Sequence, residues 1–183
     1  MSEKYVPTFT LNDGVEMPAV GLGTWQMQGD EVITAVRSAI DTGYRHIDTA
    51  AFYQNEADIG RAIHDAISAG DVTREELFVT SKVWNDQQSD HEVQAAFRAS
   101  LTNLGLDYLD CYMVHWPCPS TGRHVERFAA LSTLQGLGDV RSIAVANYNG
   151  DQLREVQEKT GIVPTINQVE LHPGFSQAEL RET

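Results

Sequence analysis

Four side chains that could hold or move a proton lie at or just after the ends of short apolar runs in this sequence: Asp48, Tyr53, Lys82 and His115. A phenol ordinarily has a pKa near about 10 and exchanges protons poorly at neutral pH, but a neighbouring ammonium lowers that pKa because it stabilises the phenolate. A carboxylate can hold the ammonium in place, and a neutral imidazole can orient a carbonyl oxygen by hydrogen bonding. As a set, these groups indicate proton donation to a carbonyl oxygen.

Each of the four residues also has an ordinary structural interpretation. Asp48 could cap the next helix or pair with Arg45, and Tyr53 could be a surface aromatic. Lys82 could be a solvated strand end, and His115 could be a hydrogen-bonded core histidine. We favour the chemical interpretation because the carboxyl ends of the strands of a β/α barrel meet at one mouth, where barrel enzymes place their sites.

The elements that would position these groups alternate between strand and helix. Apolar or β-branched runs predict strands at 19–23, 44–47, 77–83, 109–115, 140–146 and 165–169. Between them, apolar residues at helical spacing predict helices at 30–42, 56–69 and 89–104, and near 125–136 and 150–160. Because each crossover helix returns the chain to the same end of the sheet, these strands are expected to pair in parallel.

Local turn and cap signals add three expectations. Asp13 and Gly14 between roughly alternating residues predict a β-hairpin over 9–17, because glycine accepts the positive φ of a tight turn. Ser89 to Glu92 is a capping box that starts the third helix, and Ser176 to Glu179 is another that predicts the start of a sixth helix, since the two side chains satisfy orphan backbone donors.

Parallel strands of this kind form either a doubly wound sheet or a barrel. The doubly wound sheet usually carries G-x-G-x-x-G after its first strand, and here Gly21-Leu22-Gly23 gives only the first half of that pattern. The barrel is therefore favoured. No linker or low-complexity segment interrupts the chain, so residues 1–183 are expected to form a single domain.

Composition excludes several other classes of protein. The 183 residues carry 13 basic and 26 acidic side chains, a formal net charge of −13, which disfavours binding to nucleic acid or to an anionic membrane. No apolar run could span a bilayer and the first residues do not resemble a signal peptide. Cys111 and Cys118 stand apart without a zinc or disulfide pattern, so we expect a cytoplasmic protein with no metal site.

The motifs around the four residues resemble those of the aldo-keto reductases, and most nearly those of bacterial 2,5-diketo-D-gluconate reductase-like members. Five stretches carry the resemblance in order: 43–50, 53–56, 81–84, 114–117 and 166–173. The resemblance runs from about residue 7 to 183. It implies an α/β fold of the (β/α)8 TIM-barrel type with an N-terminal β-hairpin, here truncated after the sixth strand.

The resemblance also implies the chemistry: NADPH-dependent reduction of an aldehyde or ketone to an alcohol by hydride transfer. Tyr53 would be the general acid, Lys82 and Asp48 would tune it, and His115 would position the small-molecule carbonyl substrate. By the same match, the cofactor would be bound by Thr24, Asp48, Asn147 and Gln168. Trp25 and Trp84 would line the substrate pocket with His115, although packing at the barrel rim is an equally good interpretation of the two tryptophans.

Two departures from the family pattern keep an alternative open. The usual Gly-Val-Ser-Asn-Phe reads Ala144-Val145-Ala146-Asn147-Tyr148, so Ala146 lacks a hydroxyl whose hydrogen bond to the cofactor would contribute on the order of 1 kcal/mol. In the family, the seventh strand and the segment after the eighth complete the cofactor site. The alternative is a non-catalytic remnant or interaction protein that has lost cofactor binding.

A sheet that ends with its sixth strand has two open parallel edges, at the first strand and at the sixth. Copies of the chain could self-associate through these edges. A zinc hydrolase on the same barrel is a third interpretation, disfavoured because no H-x-H pair ends a strand. The sequence does not specify which carbonyl compound would be reduced.

Overall fold

The computed structural model describes residues 7–183, and these begin with the predicted hairpin. Strands β1 (Thr8–Thr10) and β2 (Glu16–Pro18) pair antiparallel. Gly14 in the turn has a φ of 85°, which an L side chain would rarely adopt, and the amide of Leu11 donates to the Val15 carbonyl at 2.9 Å. The hairpin prediction is therefore confirmed.

The main sheet within residues 7–183 has six parallel strands in chain order: β3 (Leu22–Gly23), β4 (His46–Asp48), β5 (Phe78–Val83), β6 (Leu109–Val114), β7 (Val140–Ala146) and β8 (Asn167–Gln168). Every neighbouring pair is parallel. A doubly wound sheet would reverse its strand order at a switch point, and this sheet does not. The fold is the α/β half-barrel of six strands that the sequence predicted, from a barrel of the (β/α)8 type.

Helices connect the strands and cover one face of the sheet: α1 (Gly29–Thr42), α2 (Glu56–Ala69), α3 (Asp90–Leu104), α4 (His124–Leu137) and α5 (Gly150–Thr160). Each ends at a glycine in the left-handed conformation, at Gly43, Gly70, Gly105, Gly138 and Gly161. The capping box of α3 is present, with Ser89 and Glu92 bonded reciprocally. All five helix predictions are confirmed to within about two residues.

The hydrophobic core lies in two parts. The larger part packs strand residues such as Val79, Val114 and Val145 against the apolar stripes of the helices. The smaller part, defined by Phe78, Cys111, Met113 and Ala144, lies under Leu11, Val15 and Met17 of the hairpin segment. The hairpin thus closes the amino-terminal end of the sheet and leaves the carboxyl end for a site.

The predictions for the ends of the sheet and of the chain were partly wrong. The first and sixth strands are only two residues long, against five in each prediction. The predicted helix starting at Ser176 is absent: the described residues have only a 3₁₀ turn at Leu180–Glu182, with Glu179 rather than Ser176 as its cap. None of residues 170–183 is buried, and a two-turn helix is marginal without packing.

No helix within residues 7–183 is long and apolar enough to cross a membrane.

Candidate active site

The parallel register places the predicted catalytic residues at one edge of the sheet. Asp48, the last residue of β4, pairs with Gly23, the last residue of β3, and with Thr80 in the middle of β5. Val83 pairs with Val114 and Ala146 with Gln168 at the same edge. The side chains that end or follow these strands therefore share one mouth.

Lys82 lies at the centre of this mouth. Its side chain is 1% exposed, and its ammonium forms an ion pair with Oδ1 of Asp48. The same ammonium donates to the Thr49 carbonyl at 3.0 Å and to the Tyr53 hydroxyl at 3.5 Å. An ammonium has three donors, so Lys82 uses all of them to join the carboxylate, the backbone and the phenol.

His115 lies on the other side of the phenol. Its ring centroid is 5.6 Å from that of Tyr53, with the two rings nearly perpendicular. Burial, and next the charge of Lys82, lowers the pKa of His115 to about 4. The imidazole is therefore neutral at neutral pH, the form that the sequence interpretation required for orienting a carbonyl oxygen.

The structural interpretations of Asp48 were wrong. Arg45 donates instead to the carbonyls of Ile40 and Tyr44, and the residue before α2 is Asn55. Asp48 faces the mouth, where its second carboxylate oxygen accepts a hydrogen bond from Nε2 of Gln168 at 3.0 Å.

Five rings form an aromatic wall at the mouth, those of Trp25, Phe52, Tyr53, Trp84 and His115. Phe52 stacks on Trp84 at a centroid distance of 3.7 Å and on Trp25 at 5.7 Å. Trp25 lies 4.8 Å from Tyr53, and Trp84 meets the His115 ring edge to face at 5.1 Å. Both predicted tryptophans are thus at the mouth. Phe52 was missed, although its position next to Tyr53 in the sequence was a signal for it.

The predicted cofactor residues divide into two groups. Asn147 and Gln168 are half-buried at the mouth, and the Asn147 side chain donates to the His115 carbonyl at 3.0 Å. Thr24 is fully buried, and its hydroxyl donates to the Asp48 carbonyl at 2.9 Å. Thr24 therefore holds the Asp48 backbone, and its contact with a cofactor stays a prediction.

Thr49 and Asn55 were also missed. The Thr49 hydroxyl donates to Oδ1 of Asn55 at 3.0 Å, and Nδ2 of Asn55 donates to the carbonyls of Thr24 and Met27, both at 2.9 Å. These bonds tie the segment that carries Tyr53 to the segment that carries Trp25. The signal for them lay in the motifs 43–50 and 53–56, where Thr49 and Asn55 stand near Asp48 and Tyr53.

A cavity of about 910 Å³ opens beside Asn147, between the start of α5 and residues 169–183. Three carboxylates line it, those of Asp151, Glu170 and Glu179, and the one cation among its described lining residues is Arg154. Arg154 is already paired with Asp151 at 2.5 Å. This part of the mouth therefore has no excess of positive charge.

Comparison with known proteins identifies the family that this fold and mouth represent. The profile of the aldo/keto reductase family matches residues 19–183, so the chain belongs to the aldo/keto reductase family.

Particular relatives cover nearly all of the chain. An aldo-keto reductase of Mycolicibacterium smegmatis is 47% identical over 176 residues, and methylglyoxal reductase DkgA of Escherichia coli is 46% identical over 171 residues. The match covers 96% and 93% of this chain but only 62% and 60% of those proteins. The chain thus spans less than two thirds of the length of the curated relatives it matches.

Solved structures give the same result. An aldo/keto reductase from Brucella melitensis superposes with a TM-score of 0.92 at 43% identity, covering 97% of this chain and 68% of that one. An aldo-keto reductase of Bombyx mori in complex with NADP superposes with a TM-score of 0.91 at 42% identity, covering 97% of this chain and 62% of that one.

Proposed function

We propose that this chain carries the catalytic mouth of an oxidoreductase that reduces an aldehyde or ketone to an alcohol, with NADPH as the reductant and Tyr53 as the proton donor. The observation that carries the proposal is the position of Lys82, whose buried ammonium contacts both the Asp48 carboxylate and the Tyr53 hydroxyl. An ammonium held in this way favours release of the phenolic proton.

The roles of the other groups follow from their positions. A substrate carbonyl oxygen between Tyr53 and His115 would accept a hydrogen bond from each, since the neutral imidazole keeps one N–H donor. Tyr53 then donates its proton to that oxygen while Lys82 stabilises the negative charge left on the phenol. The rings of the aromatic wall would cover one side of a bound substrate.

The described residues fit the nicotinamide end of a dinucleotide. The amides of Asn147 and Gln168 lie at adjacent strand ends and are bonded to His115 and Asp48 respectively, so they could hold a carboxamide beside the catalytic groups. When bound, NADPH supplies the hydride. The structure of the Bombyx mori relative in complex with NADP supports this choice of cofactor, and the Escherichia coli relative, a methylglyoxal reductase, supports a small carbonyl substrate.

One observation favours the second candidate, a remnant that does not bind the cofactor. The cavity beside Asn147 is lined by three carboxylates, which would repel the phosphates of a dinucleotide. Ala146 is also buried and offers no hydroxyl at this edge.

The test measures NADPH oxidation with a panel of small aldehydes, together with quenching of tryptophan fluorescence by NADPH. We expect saturable quenching and turnover, and we expect Tyr53→Phe to lower kcat about 10²-fold or more without abolishing quenching. Tyr44→Phe, at a partly exposed tyrosine away from the mouth, is the matched control. Turnover in Tyr53→Phe at the rate of the unaltered chain contradicts the assignment, and the absence of quenching in the unaltered chain supports the remnant.

A further inference from the structure

Arg127 is a fully buried cation on α4, with 0% exposure. No ion pair of the described residues includes it. Its guanidinium instead donates to two main-chain carbonyls, from Nη1 to Trp116 at 3.0 Å and from Nη2 to Trp84 at 2.8 Å. Burial of a charge is unfavourable unless the charge is hydrogen-bonded. These two bonds offset part of that cost, while Nε of Arg127 is buried without a hydrogen-bond partner among the described residues.

The two carbonyls belong to segments that lie just beyond the carboxyl ends of β5 and β6, where the strands no longer pair. The register between β5 and β6 ends at Val83 and Val114, and the amide of His115 donates the last bond across it, to the Val83 carbonyl at 3.2 Å. Trp84 and Trp116 follow directly. Arg127 therefore continues the connection between the two strands one residue beyond the end of their backbone ladder.

This connection bears on the catalytic groups. Trp84 meets the His115 ring edge to face, with centroids 5.1 Å apart and planes at 78°, and it also stacks on Phe52. Any change in the spacing of the two segments would alter how the Trp84 ring lies against His115.

We propose that Arg127 is a positioning residue for the mouth: its guanidinium fork holds the Trp84 and Trp116 carbonyls at one spacing and thereby sets the position of the His115 ring against Trp84. The planar guanidinium presents donors in a fixed geometry, whereas a lysine ammonium is a flexible point donor. A catalytic consequence of this positioning rests on the proposed function, but the positioning itself does not.

The first turn of α4 is fixed in turn by β7. The Tyr148 hydroxyl, absent from the usual family phenylalanine, donates to the His124 carbonyl at 3.2 Å. The start of α4 is thus bonded to the segment that follows β7. This bond fixes the backbone from which the Arg127 side chain extends.

The first experiment reads the position of His115 without cofactor or substrate. Two-dimensional NMR of the imidazole C–H groups in the 183-residue chain would resolve its six histidines, and the His115 signal is the one lost in His115→Asn. We expect Arg127→Lys and Arg127→Met to shift this signal, because the ring current of Trp84 acts on it at 5.1 Å. Arg98→Lys, at an exposed arginine on α3, should leave it unchanged.

A purely structural role for Arg127 predicts a different result: a lower unfolding midpoint with the His115 signal of the folded protein unmoved. That result in either folded variant overturns the proposal. If neither variant folds, the unaltered chain decides, since a fully buried guanidinium bonded to two main-chain carbonyls should show exchange-protected N–H signals. The absence of such signals for Arg127 also overturns it.

The second experiment applies once the unaltered chain has been shown to turn over and Tyr53→Phe to lower that turnover. We expect Arg127→Lys to lower kcat about tenfold while KM changes less than about twofold, because misplacement of a positioned group mainly affects the reacting geometry. An unchanged kcat together with a shifted His115 signal overturns the catalytic consequence alone. If the unaltered chain shows no turnover, the proposed function is contradicted, and the NMR result still decides the positioning role.

Discussion

Lys82 and Asp48 form an ion pair. Its contribution to the free energy of unfolding depends on both partners being present. The Lys82 side chain is 1% exposed and that of Asp48 is 13% exposed, so either group alone would be a poorly solvated charge. Removal of one member of a buried pair typically costs about 3 kcal/mol or more, whereas removal of both often costs little. The pair is therefore better explained by the chemistry of the mouth than by stability.

Unfolding of Lys82→Met, Asp48→Asn and the double variant in urea tests this account. We expect each single variant to lose about 3 kcal/mol and the double variant to lose less than the sum, with a coupling of about 1–3 kcal/mol. The exposed pair Arg154 and Asp151 is the control, where coupling should stay below about 1 kcal/mol. Additive effects at Lys82 and Asp48 would contradict the coupling.

His115 gives the protein a pH dependence with a defined sign. Burial, and next Lys82, lowers its pKa to about 4 in the folded state, against about 6.5 in the unfolded chain. Between these values the unfolded state binds more protons, so stability is complete above about pH 6.5 and is lost as the pH falls towards 4. Burial lowers the pKa of His46 in the same direction.

We expect the free energy of unfolding in urea to fall between pH 7 and pH 4.5, with about 1–2 kcal/mol of that loss due to His115. His115→Gln should reduce the fall by that amount. His91→Gln, at an exposed histidine on α3, should not alter it. An equal fall in the unaltered chain and in His115→Gln would show that His115 does not titrate as its burial requires.

The residues of the mouth were predictable from sequence only where they stand in a motif. Asp48, Tyr53, Lys82 and His115 lie at, near or just after strand ends in recognisable stretches, and the register brings these ends to one edge. Arg127 was not predicted, because its burial depends on the carbonyls of two distant segments. A charged residue four positions before the buried Leu131, on the apolar stripe of α4, was the available signal.

Among the elements, α2 and α3 pack so closely that one glycine decides their spacing. A Cβ built on Gly60 in α2 would lie 2.4 Å from the backbone oxygen of Leu104 at the end of α3. Neither backbone can yield without moving its helix. The close approach also lets Nδ2 of Asn103 donate a hydrogen bond to Oε2 of the buried Glu56 at 3.3 Å.

Gly60→Ala should therefore lower the free energy of unfolding by about 1–3 kcal/mol, because overpacking displaces one of the helices. Gly136 in α4 is the matched control, since a Cβ there meets nothing within 4 Å. Gly136→Ala should stabilise the protein by up to about 1 kcal/mol, as alanine does in a helix. Equal effects at the two positions, measured by urea unfolding, would exclude the close packing of α2 and α3.

Elements were predictable to the extent that their signals are local. Helix ends carry glycine caps and a capping box within a few residues, so all five helices were located. The lengths of β3 and β8 depend on neighbours across the sheet and were overestimated. The helix expected at Ser176 had a local signal but no surface to pack against, and packing supplies most of the stability of a short helix.

The two ends of the main sheet differ: one is covered by the hairpin and the other is open at the candidate site. The hairpin covers the amino-terminal end, where Leu11, Val15 and Met17 pack on the smaller core cluster. The carboxyl end holds the mouth. The outermost strands, β3 and β8, have two residues each, and such short edges offer few free backbone groups. Self-association through them stays a prediction.

The two cysteines report on these two ends separately. Cys111 is fully buried beneath the hairpin, and burial raises its thiol pKa, whereas Cys118 follows β6 at the mouth and is half-buried. A thiol reagent acts on the thiolate, so Cys118 should be labelled first in the folded protein. Cys111 should be labelled only when the hairpin opens.

Labelling followed by mass spectrometry of peptides tests whether the hairpin is a separate closing element. The double substitution Leu11→Ala and Met17→Ala removes apolar contacts to the cluster around Cys111, so local opening should become more frequent. We expect faster labelling of Cys111 and an unchanged rate at Cys118, while Phe9→Ala, on the exposed side of the hairpin, should change neither. Equal acceleration at both cysteines would instead mean that the hairpin and the mouth unfold as one cooperative unit.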